Sequence, residues 1–198
     1  QGLGNIRLWR DVFKLCRDLP FQCDLVSTTS SKVIQKYSLN ELTMGALRLS
    51  TVNVGVESLL QGYPKNEGVD LRTLNYQLQE AGINVVSTYI VGLDWQTKEN
   101  IREEVKLLKD LGSSGYIVAN LEMQPNTPLY NTFKKNGRLL DVPPELLSFY
   151  GYQAYVHPNF MSGFNDILPL LGEIGDELSD GTETLSANLK VFLKSKTS

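Results

Sequence analysis

Four short runs rich in β-branched and aromatic residues recur along the first two-thirds of the sequence, at Phe21–Thr28, Thr51–Val56, Asn84–Gly92 and Gly115–Glu122. Their spacing of about 30 residues is the length of one strand–helix unit, and the gaps between them carry helical signals. Connections this long cannot close a hairpin. They make neighbouring strands run parallel, joined by right-handed crossovers. The expected fold class is α/β: a parallel sheet of about four strands, flat or curled into a partial open (β/α) barrel, followed by C-terminal helices.

The helix ends are legible. Ser38-Leu39-Asn40-Glu41 reads as a capping box, in which Ser and Glu each satisfy an orphan amide of the first turn. Asp70 caps a helix with Leu71, Leu74 and Leu78 on one stripe, and Gly82 stops it in a left-handed conformation. Thr97 opens another, with Ile101, Val105 and Leu108 inward and Gly112 closing it. A helix is also expected around Trp9–Leu19. Past Pro143-Pro144 the strand signals stop, and Glu145–Tyr152, Gly163–Leu178 and Thr182–Lys194 read as helices. The sequence thus divides into a barrel portion, residues 1–142, and a helical appendage, residues 143–198.

A net charge of −3 with one histidine gives no electrostatic case for nucleic acid or an anionic membrane. No apolar run approaches the ~20 residues that span a bilayer. The opening Gln1-Gly2-Leu3-Gly4 carries no secretory pattern, so a cytoplasmic setting is expected. Cys16 and Cys23, the only cysteines, are too few for a disulfide framework or a structural zinc site, and read as reduced and half-buried. His157, Trp9 and Trp95 read as structural.

Parallel sheets place ligands beyond the carboxyl ends of their strands. Alternation sets Val52, Val54 and Val56 on one face of the second strand, with Asn53, Gly55 and Glu57 on the other. In the fourth, Ile117, Ala119, Leu121 and Met123 oppose Val118, Asn120, Glu122 and Gln124; in the first, Gln22, Asp24, Val26 and Thr28 oppose Cys23 and Leu25. A parallel sheet covered on both faces reads as continuous Val, Ile and Leu. These strands keep one polar face, which fits an open barrel with a wet or ligand-filled lumen, unless Asn53, Asn120 and Glu122 bond one another.

The stretch Asn53-Val54-Gly55-Val56-Glu57-Ser58, then Tyr63-Pro64-Lys65, Leu78 to Ala81-Gly82-Ile83, Ile90-Val91-Gly92-Leu93 with Thr97, and Gln124-Pro125-Asn126-Thr127-Pro128-Leu129-Tyr130 resembles radical S-adenosylmethionine (SAM) proteins. It is most similar to the cobalamin-binding and methylthiotransferase-like members. The resemblance implies an incomplete (β/α)6 barrel, of which these four strands would be the third to sixth. It also implies a [4Fe–4S] cluster in the parent protein, held by a Cys-x-x-x-Cys-x-x-Cys motif and cleaving SAM reductively. That motif is absent here. The chain by itself is therefore expected to be inactive, with no catalytic and no metal-ligating residue of its own, and cobalamin is a possible further cofactor of the parent.

By the same resemblance, Glu57 would take the ribose hydroxyls with Ser58 beside it, Ile90 and Gly92 would flank the adenine, and Lys65 would meet SAM's carboxylate. Gln124 and Asn126 would shape the last strand's loop, Asn126 in a left-handed conformation. The implied partners are SAM and an unknown substrate. The exposed edge of the first strand would be covered by the upstream part of the parent barrel, by a second chain or by the N-terminal helix. Two other readings are a degenerate, non-catalytic barrel that binds a nucleoside or acts as a scaffold, and an unrelated α/β enzyme using Glu57, Asp94 and Glu122 as acid–base groups.

Overall fold

The computed structural model describes residues 2–148, 153–160 and 163–179. After a 3-10 turn at Gly2–Gly4, the elements are α1 (Ile6–Leu15), β1 (Cys23–Thr29), α2 (Ser31–Ile34), α3 (Leu39–Thr43), β2 (Leu47–Glu57), α4 (Leu71–Glu80), β3 (Asn84–Val91), α5 (Lys98–Asp110), β4 (Gly115–Asn120), α6 (Pro128–Lys135) and α7 (Phe164–Leu178). The strands form one sheet in sequence order, β1-β2-β3-β4, with β2 parallel to both β1 and β3. This is the α/β class with a parallel sheet that the strand–helix spacing predicts.

The caps form as read. Ser38 and Glu41 close their box, and the Asp70 side chain accepts from Thr73 N at 3.0 Å. Thr97 and Asn100 cap α5 reciprocally: Thr97 N donates to Asn100 Oδ1 at 2.8 Å, and Asn100 N to Thr97 Oγ1 at 3.3 Å.

The chain forms two compact units. The first is Gln1–Tyr89 with Lys106–Ile117. Its core joins Val52 and Val54 of β2 to Leu74 and Leu78 of α4, with Ile6, Trp9 and Phe13 supplied by one stripe of α1. Burying each such aliphatic side chain is worth about 1.5–3 kcal/mol. On the opposite face of β2, Asn53 is half-buried, as are its β3 neighbours Val86 and Thr88. Asn53 Nδ2 reaches Thr28 Oγ1 of β1 at 3.5 Å. The helix-facing side of β3 is not purely aliphatic, because Ser87 Oγ bonds Ser113 Oγ at 2.6 Å and Asn75 Nδ2 donates to that hydroxyl at 2.9 Å.

The second unit is Ile90–Val105 with Val118–Ser198. Met123, Phe133, Ala154 and Tyr155 form one of its clusters. Ile167, Leu170, Leu171 and Ile174 bury a stripe of α7. Lys98–Asp166 and Arg102–Glu173 pair α7 with α5, exposed bridges worth at most about 1 kcal/mol each.

Several boundaries differ from expectation. β2 starts at Leu47, and α1 stops at Leu15. Where a helix was expected over Glu145–Tyr152, Pro144–Ser148 is a 3-10 turn, and residues 149–152 lie outside the described residues. So does the helix expected over Thr182–Lys194. Extended pairing does not end at Pro143, since Leu139 bridges Tyr155 in antiparallel fashion.

The Gly2–Gly4 turn packs on β1. A Cβ at Gly2 would lie 2.8 Å from Thr28 O, so only glycine permits that approach. Trp9 Nε1 and Tyr37 Oη tie the turn down by donating to Gly2 O and Leu3 O, each at 2.7 Å. Val26 in β1 remains 63% exposed.

Candidate functional site

At the carboxyl end of β2 in the first unit, the chain reverses in a γ-turn centred on Glu57, whose φ is +64°, with Ser58 N donating to Val56 O at 2.8 Å. A non-glycine residue in this region stores about 1–3 kcal/mol of strain. Asn66 holds the turn. Its Nδ2 donates to Gly55 O at 2.9 Å and Val56 O at 3.0 Å, while Oδ1 accepts from Ser31 Oγ at 2.7 Å.

Lys65 Nζ pairs with Glu57 Oε1. A Cβ at Gly55 would stand 2.5 Å from Nζ and 2.6 Å from Oε1, so the pair lies directly over this glycine. The Glu57 side chain is only 13% exposed, and Lys65 Nζ also sits 5.6 Å from the centre of the Tyr63 ring. Ser58 is buried, with Oγ accepting from Gln61 N at 3.4 Å. The loop that follows surrounds a cavity of about 490 Å³, lined by Ser58, Gln61, Tyr63 and Glu67 among others. The structure therefore brings Glu57, Ser58 and Lys65 together, with the carboxylate already in an ion pair.

In the second unit the loop after β3 is locked from two sides. Gln96 Oε1 accepts from Gly92 N at 2.7 Å and Leu93 N at 2.9 Å, and its Nε2 donates to Ile90 O at 3.0 Å and Glu104 Oε2 at 3.2 Å. The returning segment at residues 153–160 supplies the second set. Tyr155 Oη donates to Gly92 O at 2.6 Å, His157 Nε2 bonds Leu93 O at 2.8 Å, and Asn159 Nδ2 donates to Gln96 O at 2.9 Å. Asp94 takes both arms of Arg138, at 2.6 and 2.7 Å, which holds its carboxyl below the usual range. The Arg138 guanidinium in turn covers the Phe133 ring at 4.0 Å. Burial pushes the Tyr155 phenol well up, so it remains a donor to Gly92.

Ile90 is half-buried and Gly92 buried, with φ +102°. Gln124 is exposed and donates to Glu122 Oε2 at 3.2 Å. Asn126 adopts φ +66°, the left-handed conformation expected of it, just ahead of the Thr127 cap of α6. Asn120 and Glu122 do not satisfy themselves: both amide atoms of Asn120 and Oε1 of Glu122 are buried without a partner. Sequence reasoning missed Asn66, Gln96 and Tyr155. A glutamine four residues beyond a strand-end glycine was a usable local signal for Gln96. Tyr155 offered none.

His157 is a satisfied structural histidine. Asn159 N donates to its Nδ1 at 3.0 Å, so the proton sits on Nε2 and the ring is neutral. Burial lowers its pKa against the opposing pull of the Leu93 carbonyl and the Asp94 carboxylate, while Arg138 adds to the lowering. The folded chain thus binds this proton less readily than the unfolded one. Stability is expected to fall as the pH drops below the ordinary value of 6.5, and to level off below the folded value. Urea midpoints measured from about pH 8 to about pH 5 should show this slope, and His157→Gln should flatten it.

The cysteines are free and half-buried, Cys16 capping the end of α1 and Cys23 opening β1. Among the described residues no three His, Cys, Asp or Glu side chains converge to hold a metal ion. These residues do not fit an iron–sulfur cluster, which the resembled family binds with three thiolates. Among the described residues, too, no helix is long and apolar enough to cross a membrane.

No family model and no curated protein matches the sequence. Among solved structures, the chain is similar to the radical S-adenosylmethionine methyltransferase TsrM from Kitasatospora setae, solved with cobalamin and a [4Fe–4S] cluster bound. The match has 18% identity and a TM-score of 0.51, covering 69% of this chain and 29% of that one. The chain thus spans under a third of that protein's length. At this identity the likeness shows the fold alone: a parallel α/β sheet with helices.

Proposed function

We propose that this chain is the carboxyl-terminal portion of a radical SAM enzyme, carrying nucleoside-binding strand ends while the cluster-binding cysteines belong to another part of the parent. The observation that carries this reading is the γ-turn at Glu57. A strained, half-buried carboxylate at the carboxyl end of a parallel strand is where ligands of such sheets are met, and strain of this kind concentrates at binding sites. Its geometry suits a vicinal diol, since a carboxylate accepts from two hydroxyls in charge-assisted bonds. Ser58 and Lys65 flank it in the first unit. In the second unit, Ile90 and Gly92 are assigned to an adenine and Gln124 to the loop beside it. SAM is the ligand proposed for the parent enzyme, with cobalamin as a further cofactor; cobalamin is bound in the TsrM structure.

The misfit with a cluster favours a second reading, a non-catalytic barrel that binds a nucleoside or serves as a scaffold. Anaerobic reconstitution of the full-length parent with iron and sulfide, then a search for 5′-deoxyadenosine from SAM, separates the two. Absence of any SAM-derived product removes the enzyme reading. The diol assignment is tested on the chain itself by calorimetric titration with adenosine. Glu57→Gln is expected to weaken binding about tenfold, the value of a charged hydrogen bond over a neutral one. Unchanged affinity would sink the assignment.

A further inference from the structure

We propose that the first unit carries a second ligand site, at the amino end of its sheet, which binds a phosphate monoester with a small apolar body. The proposal does not depend on the nucleoside reading above.

A cavity of about 510 Å³ opens between α1 and α3, lined by Arg10, Phe13, Lys14, Arg17, Asn40 and Met44 among others. It lies beside the start of the strands. Arg17 O accepts from Ala46 N at 3.1 Å, and Ala46 O accepts from the N of Cys23, the first residue of β1, at 2.6 Å. The Glu57 turn closes the other end of β2, roughly 30 Å of strand away.

Arg10, Lys14 and Arg17 recur at spacings of four and three, which sets them along one side of α1 and the turn that ends it. Their charges are not equivalent. Arg10 is spent within the chain, its Nε donating to Glu41 Oε1 at 2.6 Å and its Nη2 to Lys36 O at 2.9 Å. Glu41 is equally committed, since its Oε2 accepts from Ser38 N at 2.7 Å in the capping box. Among the described residues neither Lys14 nor Arg17 forms an ion pair, although Asp11 lines the same cavity. A cation in the last turn of a helix is favourable in itself, which accounts for Lys14. It does not account for Arg17, which follows the C-cap Cys16. Arg17 is fixed there by Gly45, whose backbone, at φ +129°, passes so close that a Cβ would stand 3.4 Å from Arg17 Cα.

These groups define the ligand. An ammonium, a guanidinium and the Asn40 amide supply donors around one space, and a phosphate monoester offers three terminal oxygens where a carboxylate offers two. Two unpaired cations against Asp11 suffice for one small anion and fall short of what a polyanion needs. Phe13, 7% exposed, gives the cavity an apolar floor, and Met44, 64% exposed, is an adaptable apolar wall for a ligand to cover.

The test is titration of the 198-residue chain at low ionic strength with phenyl phosphate, inorganic phosphate and benzoate, followed by calorimetry and by backbone amide shifts. Phenyl phosphate is expected to bind about tenfold tighter than either control, one of which lacks the ring and the other the third oxygen. Lys14→Gln and Arg17→Gln should each weaken it about tenfold, the loss of a charge-assisted hydrogen bond. Both residues are exposed, so the fold tolerates the changes. Lys106→Gln, at an exposed cation of α5 outside the cavity, should leave the affinity unchanged. Amide shifts are expected at Lys14, Arg17, Asn40 and Gly45. The proposal is overturned by the absence of saturable binding, by shifts confined to the turn at Glu57, by equal affinity for the three anions, or by equal effects of the three substitutions.

Discussion

Gly92→Ala is expected to destabilise the chain by about 3–5 kcal/mol, the range for a substitution that combines backbone strain with overpacking. Two effects add. At φ +102° the residue occupies backbone space that L side chains rarely adopt. The new methyl would also be driven into the Tyr155 hydroxyl and to 2.8 Å from Asn120 Oδ1. Neither neighbour yields freely, because Tyr155 is 0% exposed and its hydroxyl is engaged by the carbonyl of the same glycine. Gly112→Ala separates the two effects. Its φ is +64° and nothing lies within 4 Å of the added carbon, so strain alone acts, at about 1 kcal/mol. Urea unfolding of both variants measures the difference. Equal midpoint shifts would mean that the Tyr155 clasp adds no steric constraint.

Gln96→Leu should rank beside it, with a loss of about 3–5 kcal/mol and a Tm lowered by about 10 °C. The leucine fills the same space but leaves Gly92 N, Leu93 N and Ile90 O without their side-chain partner and removes the contact to Glu104. Gln96 is 0% exposed, so water does not replace it without local opening. Each buried backbone group left unpaired costs about 1–3 kcal/mol, and neighbours in one network do not add fully. Hydrogen exchange offers a local check, since the Gly92 and Leu93 amides should lose protection before the rest of β3. Retained protection at those two amides would mean that the loop is held by other contacts.

Both variants probe a device that the sequence did not reveal. The residues Gly92, Leu93 and Gln96 lie within one turn of chain, but their meaning depends on Tyr155, which donates to Gly92 from 63 positions away. The same holds in the first unit. Glu57 stood out as a strand-end carboxylate, yet neither its positive φ nor its pairing with Lys65 could be read from the alternation of β2. Asn66 passed unnoticed because it fixes the turn through carbonyls ten and eleven residues earlier and a hydroxyl thirty-five residues away.

What the sequence determined by itself was local and periodic. Capping at Ser38, Asp70 and Thr97, the inward stripe of α5, the valines on one face of β2 and the left-handed Asn126 each depend on neighbours within a few residues. The parallel sheet follows from connection length, which is also a local quantity. Tertiary structure alone decided which polar groups were consumed and which were left over, because hydrogen-bond satisfaction in a folded chain is settled between segments far apart in sequence. That is why Gln96 and Tyr155 close the loop after β3, and why the amide of Asn120 is left unpaired beside it.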